Sequence, residues 1–206
     1  MAAKTQRKLR RSQAISTFGP GAIVDLSDES VMMMGIDFWR VNASEQIQEP
    51  NLERLLHVDH FRSPGSDDGN TFGSAPSPLP IRRFPEWLVC SGCRRLAHIS
   101  DFISNLERDD DRLRCPACRK PLHPARLVVT CRRGHISDFP WVWWAHRGST
   151  SCDRPRLTLS ALGRTAALSD LIVSCHCGAS ASLGGAMERR NFANRPCKGE
   201  RPWLGE

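Results

Sequence analysis

Residues 84–118 read FPEWLVCSGCRRLAHISDFISNLERDDDRLRCPAC, and the two cysteine pairs in them, Cys90-Ser-Gly-Cys93 and Cys115-Pro-Ala-Cys118, decide how the chain is built. A Cys-x-x-Cys knuckle turns tightly enough to point both sulfurs at one ion. Two knuckles, here with residues 94–114 between them, complete a tetrahedron with Zn–S distances of about 2.3 Å. Gly92 lets backbone amides approach the thiolates of the first knuckle, and Pro116 pre-sets the turn of the second. A redox dithiol is the competing reading of either pair alone, and the presence of both weakens it. Four sulfurs leave no open coordination position, so the expected zinc ion is structural rather than catalytic.

Outward from the knuckles runs an internal echo. Cys93-Arg-Arg-Leu-Ala-His98-Ile-Ser-Asp-Phe102 is matched, one residue shorter, by Cys131-Arg-Arg-Gly-His135-Ile-Ser-Asp-Phe139. In both copies Ser precedes Asp as at a helix start, where the hydroxyl caps and the carboxylate complements the dipole. The pattern predicts one helix over Asp101–Glu107, with Phe102, Ile103 and Leu106 inward, and a second beginning near Asp138 and ending before Gly148. His98 is expected to orient its helix start by hydrogen bonding, because the first site already has four sulfurs. For His135 that role and metal ligation are equally open.

The remaining cysteines form a second candidate cluster. Nine cysteines, an odd number with no secretory signal at the N-terminus, argue against a disulfide framework and for metal in a reducing cytoplasm. The leading set is Cys152, Cys175, Cys177 and Cys197; its rival joins Cys131 and His135 to Cys175 and Cys177. Trp141, Trp143 and Trp144 suggest base stacking, but neighbouring helical positions point about 100° apart, so packing in the core is the favoured role.

N-terminal to the knuckles, residues 1–62 read as a small α/β unit with a basic arm, Lys4–Arg11. Phe18-Gly-Pro-Gly21 turns into a strand ending at Leu26, and Val31–Gly35 returns as a hairpin. The glycines could cradle an anion, but no Lys-Ser/Thr follows as in a P-loop, so the turn is read as structural. Glu49–Val58 reads as a helix with Pro50 in its first turn and Leu52, Leu55 and Leu56 on one face. Residues 63–80 are a Pro/Gly/Ser-rich linker or loop. The expected architecture is α+β: this unit and linker, a zinc-ribbon-like module over 81–130, and a second Cys/His-rich subdomain over 131–206.

The formal net charge is +7, and Arg-Arg pairs recur at 82–83, 94–95, 132–133 and 189–190. Basic side chains beside zinc knuckles suit phosphate backbones, which makes Arg94, Arg95, Arg132 and Arg133 candidate DNA contacts. No apolar run is long enough to span a membrane. Several enzyme signatures are missing: no Walker A sequence, no His-Glu-x-x-His and no Gly-x-Ser-x-Gly. Cys115-Pro-Ala-Cys118 has no upstream His-x-Glu of the zinc-deaminase kind.

Several of these segments together resemble the DrmB family of the bacterial DISARM anti-phage system. The resemblance runs through Arg11-Ser-Gln13 with Thr17–Leu26, Arg83–Cys90, Cys131–Trp141 and Cys175-His-Cys177-Gly178. It ends on Cys197 with Arg201-Pro-Trp203-Leu-Gly205. It implies a non-catalytic partner of a DrmA-type helicase, acting with it on foreign DNA. It also implies a longer family protein, of which this chain corresponds to the N-terminal portion. The expected function is therefore a scaffold and DNA-contacting subunit. The rivals are a stand-alone nucleic-acid-binding zinc ribbon and an enzyme using the second cluster as an open metal site.

Overall fold

The computed structural model describes residues 11–26, 29–39, 46–62, 79–103, 108–109, 112–149, 152–163, 165 and 167–205. The basic arm before Arg11, nearly all of the expected linker, and Leu106 of the first expected helix lie outside the described residues. The fold class is α+β, and the chain divides into two units, Met1–Arg83 with Arg201–Glu206, and Phe84–Glu200.

In the first unit, helix α1 (Arg11–Ile15) leads to strands β1 (Ile23–Asp25) and β2 (Ser30–Met33). They form the expected antiparallel hairpin, in register Val24 opposite Val31. Strand β3 (Ile81–Arg83) adds to β2 by pairing Arg83 with Val31, and its guanidinium meets Glu29 at 2.5 Å. The residues expected to open the zinc module thus close this small sheet, over a core of Val24 and Val31 flanked by Phe18, Leu26 and Ile81. Gly21 sits at φ +83°, a conformation that strains residues with a Cβ, and an added Cβ would lie 3.2 Å from the Trp203 ring. The Gly-Pro-Gly turn is therefore a seat for Trp203, whose carbonyl accepts the Gly35 N–H at 2.7 Å. Helix α2 (Pro50–Leu56) forms as expected, but Leu52, Leu55 and Leu56 are exposed.

The second unit is organised by a six-stranded antiparallel sheet. Its strands are β4 (Trp87–Cys90), β5 (Arg95–His98), β6 (Leu122–Pro124), β9 (Leu157–Ala161), β10 (Leu171–Cys175) and β11 (Ser180–Ser182), in the order β6-β4-β5-β9-β10-β11. Strands β7 (Val128–Thr130) and β8 (Ile136–Asp138) form a separate hairpin. Side chains alternate across a strand, which gives the sheet two buried faces. Leu88, Cys90 and Ala97 point to one core with Phe102, Cys115 and Leu122. Leu96, Leu157, Leu159, Val173 and Ala181 point to the other, against Phe139, Trp141 and Trp144. The central sheet thus joins strands from the four-cysteine stretch to strands that follow Cys152.

The two expected helices turn out differently. Helix α3 (Ser100–Ile103) begins at the predicted Ser-Asp and buries Phe102 completely. Asp138 ends strand β8, and helix α4 (Trp141–Ala145) starts only after Pro140. The physical reason is visible at the carboxylate: Asp138 accepts the backbone N–H of Glu86 at 3.1 Å and of Trp87 at 3.3 Å. It is therefore held within the strand, with Ser137 beside it, and neither the expected Ser cap nor the expected Asp charge stands at the start of a helix. The tryptophans of α4 pack as expected: Trp141 and Trp144 are buried, Phe139 lies 4.7 and 5.3 Å from their rings, and Trp144 Nε1 donates to the Ser182 carbonyl at 2.9 Å. Among the described residues, no helix is long and apolar enough to cross a membrane.

Candidate metal centres

All nine cysteines are free, and the fold gathers them with two histidines into three groups, each able to hold a metal ion.

The first group is Cys90, Cys93, Cys115 and Cys118. Cys90 ends strand β4, and the knuckle is the turn that carries the chain into β5, so the hairpin register fixes the first pair. The second knuckle is placed by β6, which pairs Leu122 with Cys90. Cys90 Sγ lies 3.3 Å from Cys118 Sγ, and Cys93 Sγ lies 3.7 Å from Cys115 Sγ. Sulfurs at the corners of a tetrahedron of zinc–sulfur bonds would be about 3.8 Å apart, close to these separations. Gly92 donates its N–H to Cys90 Sγ at 3.4 Å. A Cβ there would meet Lys120 Cγ at 2.6 Å and Cys118 Sγ at 3.2 Å, so a larger residue would have to displace the Lys120 side chain and crowd a donor sulfur. Arg94 and Arg119, each one residue past its knuckle, take left-handed φ of 62° and 58°. Burial, reinforced by Cys118, pushes Cys90 up to about 12, whereas the Lys120 N–H and Cys90 lower Cys118 to about 6. A cation would displace the remaining protons, so binding here is linked to pH.

The second group is His146, Cys152, Cys175 and Cys177. Cys175 ends strand β10 and the turn toward β11 carries Cys177. Cys152 Sγ lies 3.9 Å from Cys175 Sγ. The fourth donor is His146, at the end of α4 and buried. Its Nδ1 lies 2.7 Å from the Val142 carbonyl, which can only accept, so Nδ1 carries the proton. The lone pair of Nε2 then faces Cys177 Sγ at 3.3 Å. A backbone carbonyl that fixes the tautomer and aims the other nitrogen is a common support for a metal-binding histidine. The Val142 carbonyl also holds the His146 pKa above its ordinary value, against the effect of burial. Burial opposes ionisation of Cys175, but the N–H and thiol of Cys177, the His176 ring and the Arg156 N–H together outweigh it and lower the thiol to about 6. Burial and Cys175 raise Cys152 to about 11.

The third group is Cys131, His135 and Cys197. The first two lie in the β7–β8 turn, closed by the Cys131 N–H donating to the His135 carbonyl at 3.1 Å. Cys197 approaches from the chain beyond Phe192 to place its sulfur 3.4 Å from His135 Nδ1. The Arg133 N–H lowers the Cys131 pKa.

The structure thus assembles Cys90, Cys93, Cys115 and Cys118 as the spacing indicates. It places Cys152, Cys175 and Cys177 together, with His146 where the leading sequence set had Cys197. Cys131 and His135 meet Cys197 rather than Cys175 and Cys177. His146 was not singled out in the sequence, because a lone histidine after three tryptophans has no ligand spacing; its position at the helix end was the available signal. His98 bonds Glu86 at 2.9 Å and Ser100 at 2.8 Å, outside every group.

The candidate arginines divide. Arg94 Nε donates to the Leu159 carbonyl at 2.7 Å, and the Arg95 guanidinium lies 4.8 Å from the centre of the Phe102 ring. Arg132 and Arg133 are exposed on the β7–β8 turn.

The family model described as domain of unknown function DUF8724 matches residues 10–206. A curated relative, the DISARM protein DrmB of Bacillus paralicheniformis, is 34% identical over 182 residues, covering 87% of this chain and 31% of the relative. The chain therefore spans about a third of that protein's length. The segments that suggested the resemblance, from Thr17–Leu26 to Cys175–Gly178, lie inside the region matched by the family model. The chain belongs to the DUF8724 family, and its identity to the DISARM protein supports membership of the DrmB family.

Proposed function

We propose that this chain is a zinc-stapled, non-catalytic scaffold that contacts DNA and partners a DrmA-type helicase in cytoplasmic anti-phage defence. The similarity to the DISARM protein DrmB supports the defence role. The observation that carries the scaffold reading is the pair of four-donor groups, one at each end of the six-stranded sheet's strand pairs β4–β5 and β10–β11. Four-sulfur and three-sulfur-one-imidazole sets at tetrahedral separations are the donors of structural zinc, and each occupies all four positions. Such ions staple a sheet whose strands are only three to five residues long.

DNA contact on this reading falls to Arg132 and Arg133, with Arg94 and Arg95 engaged in holding the fold. Arg132 and Arg133 project from a hairpin turn whose backbone is fixed, and their guanidinium forks suit phosphate oxygens. The test is binding of unrelated duplexes as salt is raised. Arg132→Ala with Arg133→Ala is expected to weaken all of them and to reduce the salt slope by about two. Unchanged binding at matched salt would remove the turn from the DNA interface. A pull-down with a DrmA-type helicase tests the partner. Tight, salt-sensitive DNA binding with no helicase capture would favour the stand-alone zinc-ribbon reading.

A further inference from the structure

Two of the three donor groups have four members; among the described residues the third has three. Their ligating atoms lie within 4.8 Å of one another, with the His135 Nδ1 3.3 Å from Cys131 Sγ and 3.4 Å from Cys197 Sγ. Both sulfurs are dressed as in a metal knuckle. The Arg133 N–H donates to Cys131 Sγ at 3.3 Å and the Gly199 N–H to Cys197 Sγ at 3.4 Å. Each donor stands two residues after its cysteine, as Gly92 does after Cys90 in the four-sulfur group. Two converging knuckle turns with a histidine between them are a built donor set.

The surroundings differ from those of the other groups. Cys131, His135 and Cys197 line a cavity of about 710 Å³ together with Arg189, Arg190, Arg195, Lys198 and Glu200. Arg190 is paired with Glu188 at 2.6 Å, and the Arg195 guanidinium lies 5.7 Å from the centre of the Trp143 ring. Two thiolates and a neutral imidazole leave a divalent ion electrically neutral, and an anion binding to it would gain attraction from the neighbouring cations.

We propose that Cys131, His135 and Cys197 form a third divalent-metal site whose fourth position is exchangeable and opens onto this cationic cavity, where it accepts a small anion. Three protein ligands and one exchangeable ligand are the arrangement by which zinc keeps a position open. The proposal stands apart from helicase partnership and DNA contact, since neither supplies a ligand.

Cobalt reconstitution of the full chain under reducing conditions tests it, with azide as the probe anion. Three equivalents are expected, and azide shifts the visible bands of one. Cys131→Ser and Cys197→Ser should each bind two equivalents and lose the azide response. His135→Cys should keep three equivalents with stronger thiolate-to-cobalt absorption, a gain that damage to the fold would not produce. Two equivalents in the wild type would overturn the site. Three equivalents with no azide response, or loss of one equivalent in Glu200→Gln, would overturn the open position, the latter by showing a fourth protein ligand.

Discussion

The two copies of the sequence echo carry the same residues to different ends. In Cys93–Phe102 the chain leaves its knuckle as strand β5, His98 falls opposite Trp87, and Ile-Ser-Asp-Phe opens helix α3. In Cys131–Phe139 the shorter spacing keeps His135 within the β7–β8 turn, and Ile-Ser-Asp continues as strand β8. Both phenylalanines are buried, in different cores. The histidines part: His98 bonds Glu86, whereas His135 joins two sulfurs. One deleted residue moves the histidine from the far end of a strand to the turn, and that decides between hydrogen bonding and ligation. The copies also meet at one residue, since Glu86 bonds His98 through its side chain and Asp138 through its N–H.

The largest effect is expected where the first copy's knuckle is broken. Structural zinc contributes on the order of 10–16 kcal/mol in small modules, above the net stability of most domains. Cys90→Ser or Cys93→Ser should lose one metal equivalent and unfold the sheet, read by metal analysis and circular dichroism. Native spectra with unchanged metal content would remove the four-sulfur site.

Next comes the histidine that the sequence did not single out. His146→Ala should release the second equivalent, whereas His176→Ala, in the sequence between Cys175 and Cys177 but outside the group, should retain it. The opposite pattern would exchange the two imidazoles. Within the echo, His98→Ala should leave the metal content unchanged. A lost equivalent there would mean that the two copies are metal-binding equivalents after all.

A smaller effect separates the two aspartates. Asp138→Ala removes the acceptor of two backbone N–H groups and should cost about 1.5–3 kcal/mol. Asp101→Ala removes an exposed charge from a helix's first turn and should cost about 0.3–1 kcal/mol. Denaturant midpoints measure both, and equal costs would erase the distinction between strand and helix contexts. The smallest change in stability is expected for Arg132→Ala with Arg133→Ala, exposed residues whose loss should appear in DNA binding. Arg94→Ala, which loses the bond to Leu159, should lower the midpoint.

The four-sulfur group was legible because a Cys-x-x-Cys knuckle is local: the turn that brings its sulfurs together is encoded within four residues, and only the pairing of knuckles is long-range. The hairpin β1–β2 and helix α2 were legible for the same reason, through turn residues and a helix-start proline. Cys152, Cys175 and Cys177 also stand together in the leading sequence set, but tertiary structure alone decided which donors complete the second and third groups. His146 reaches Cys177 across 31 positions and Cys197 reaches His135 across 62, distances over which spacing carries no geometric information. It also decided that Asp138 bonds the Glu86 and Trp87 amides instead of complementing the dipole of a helix's first turn, because a carboxylate goes to the donors that packing presents. The sequence by itself determined which atoms were available to bind metal; the packing of sheet, helix α4, the β7–β8 turn and the chain around Cys197 determined which of them meet.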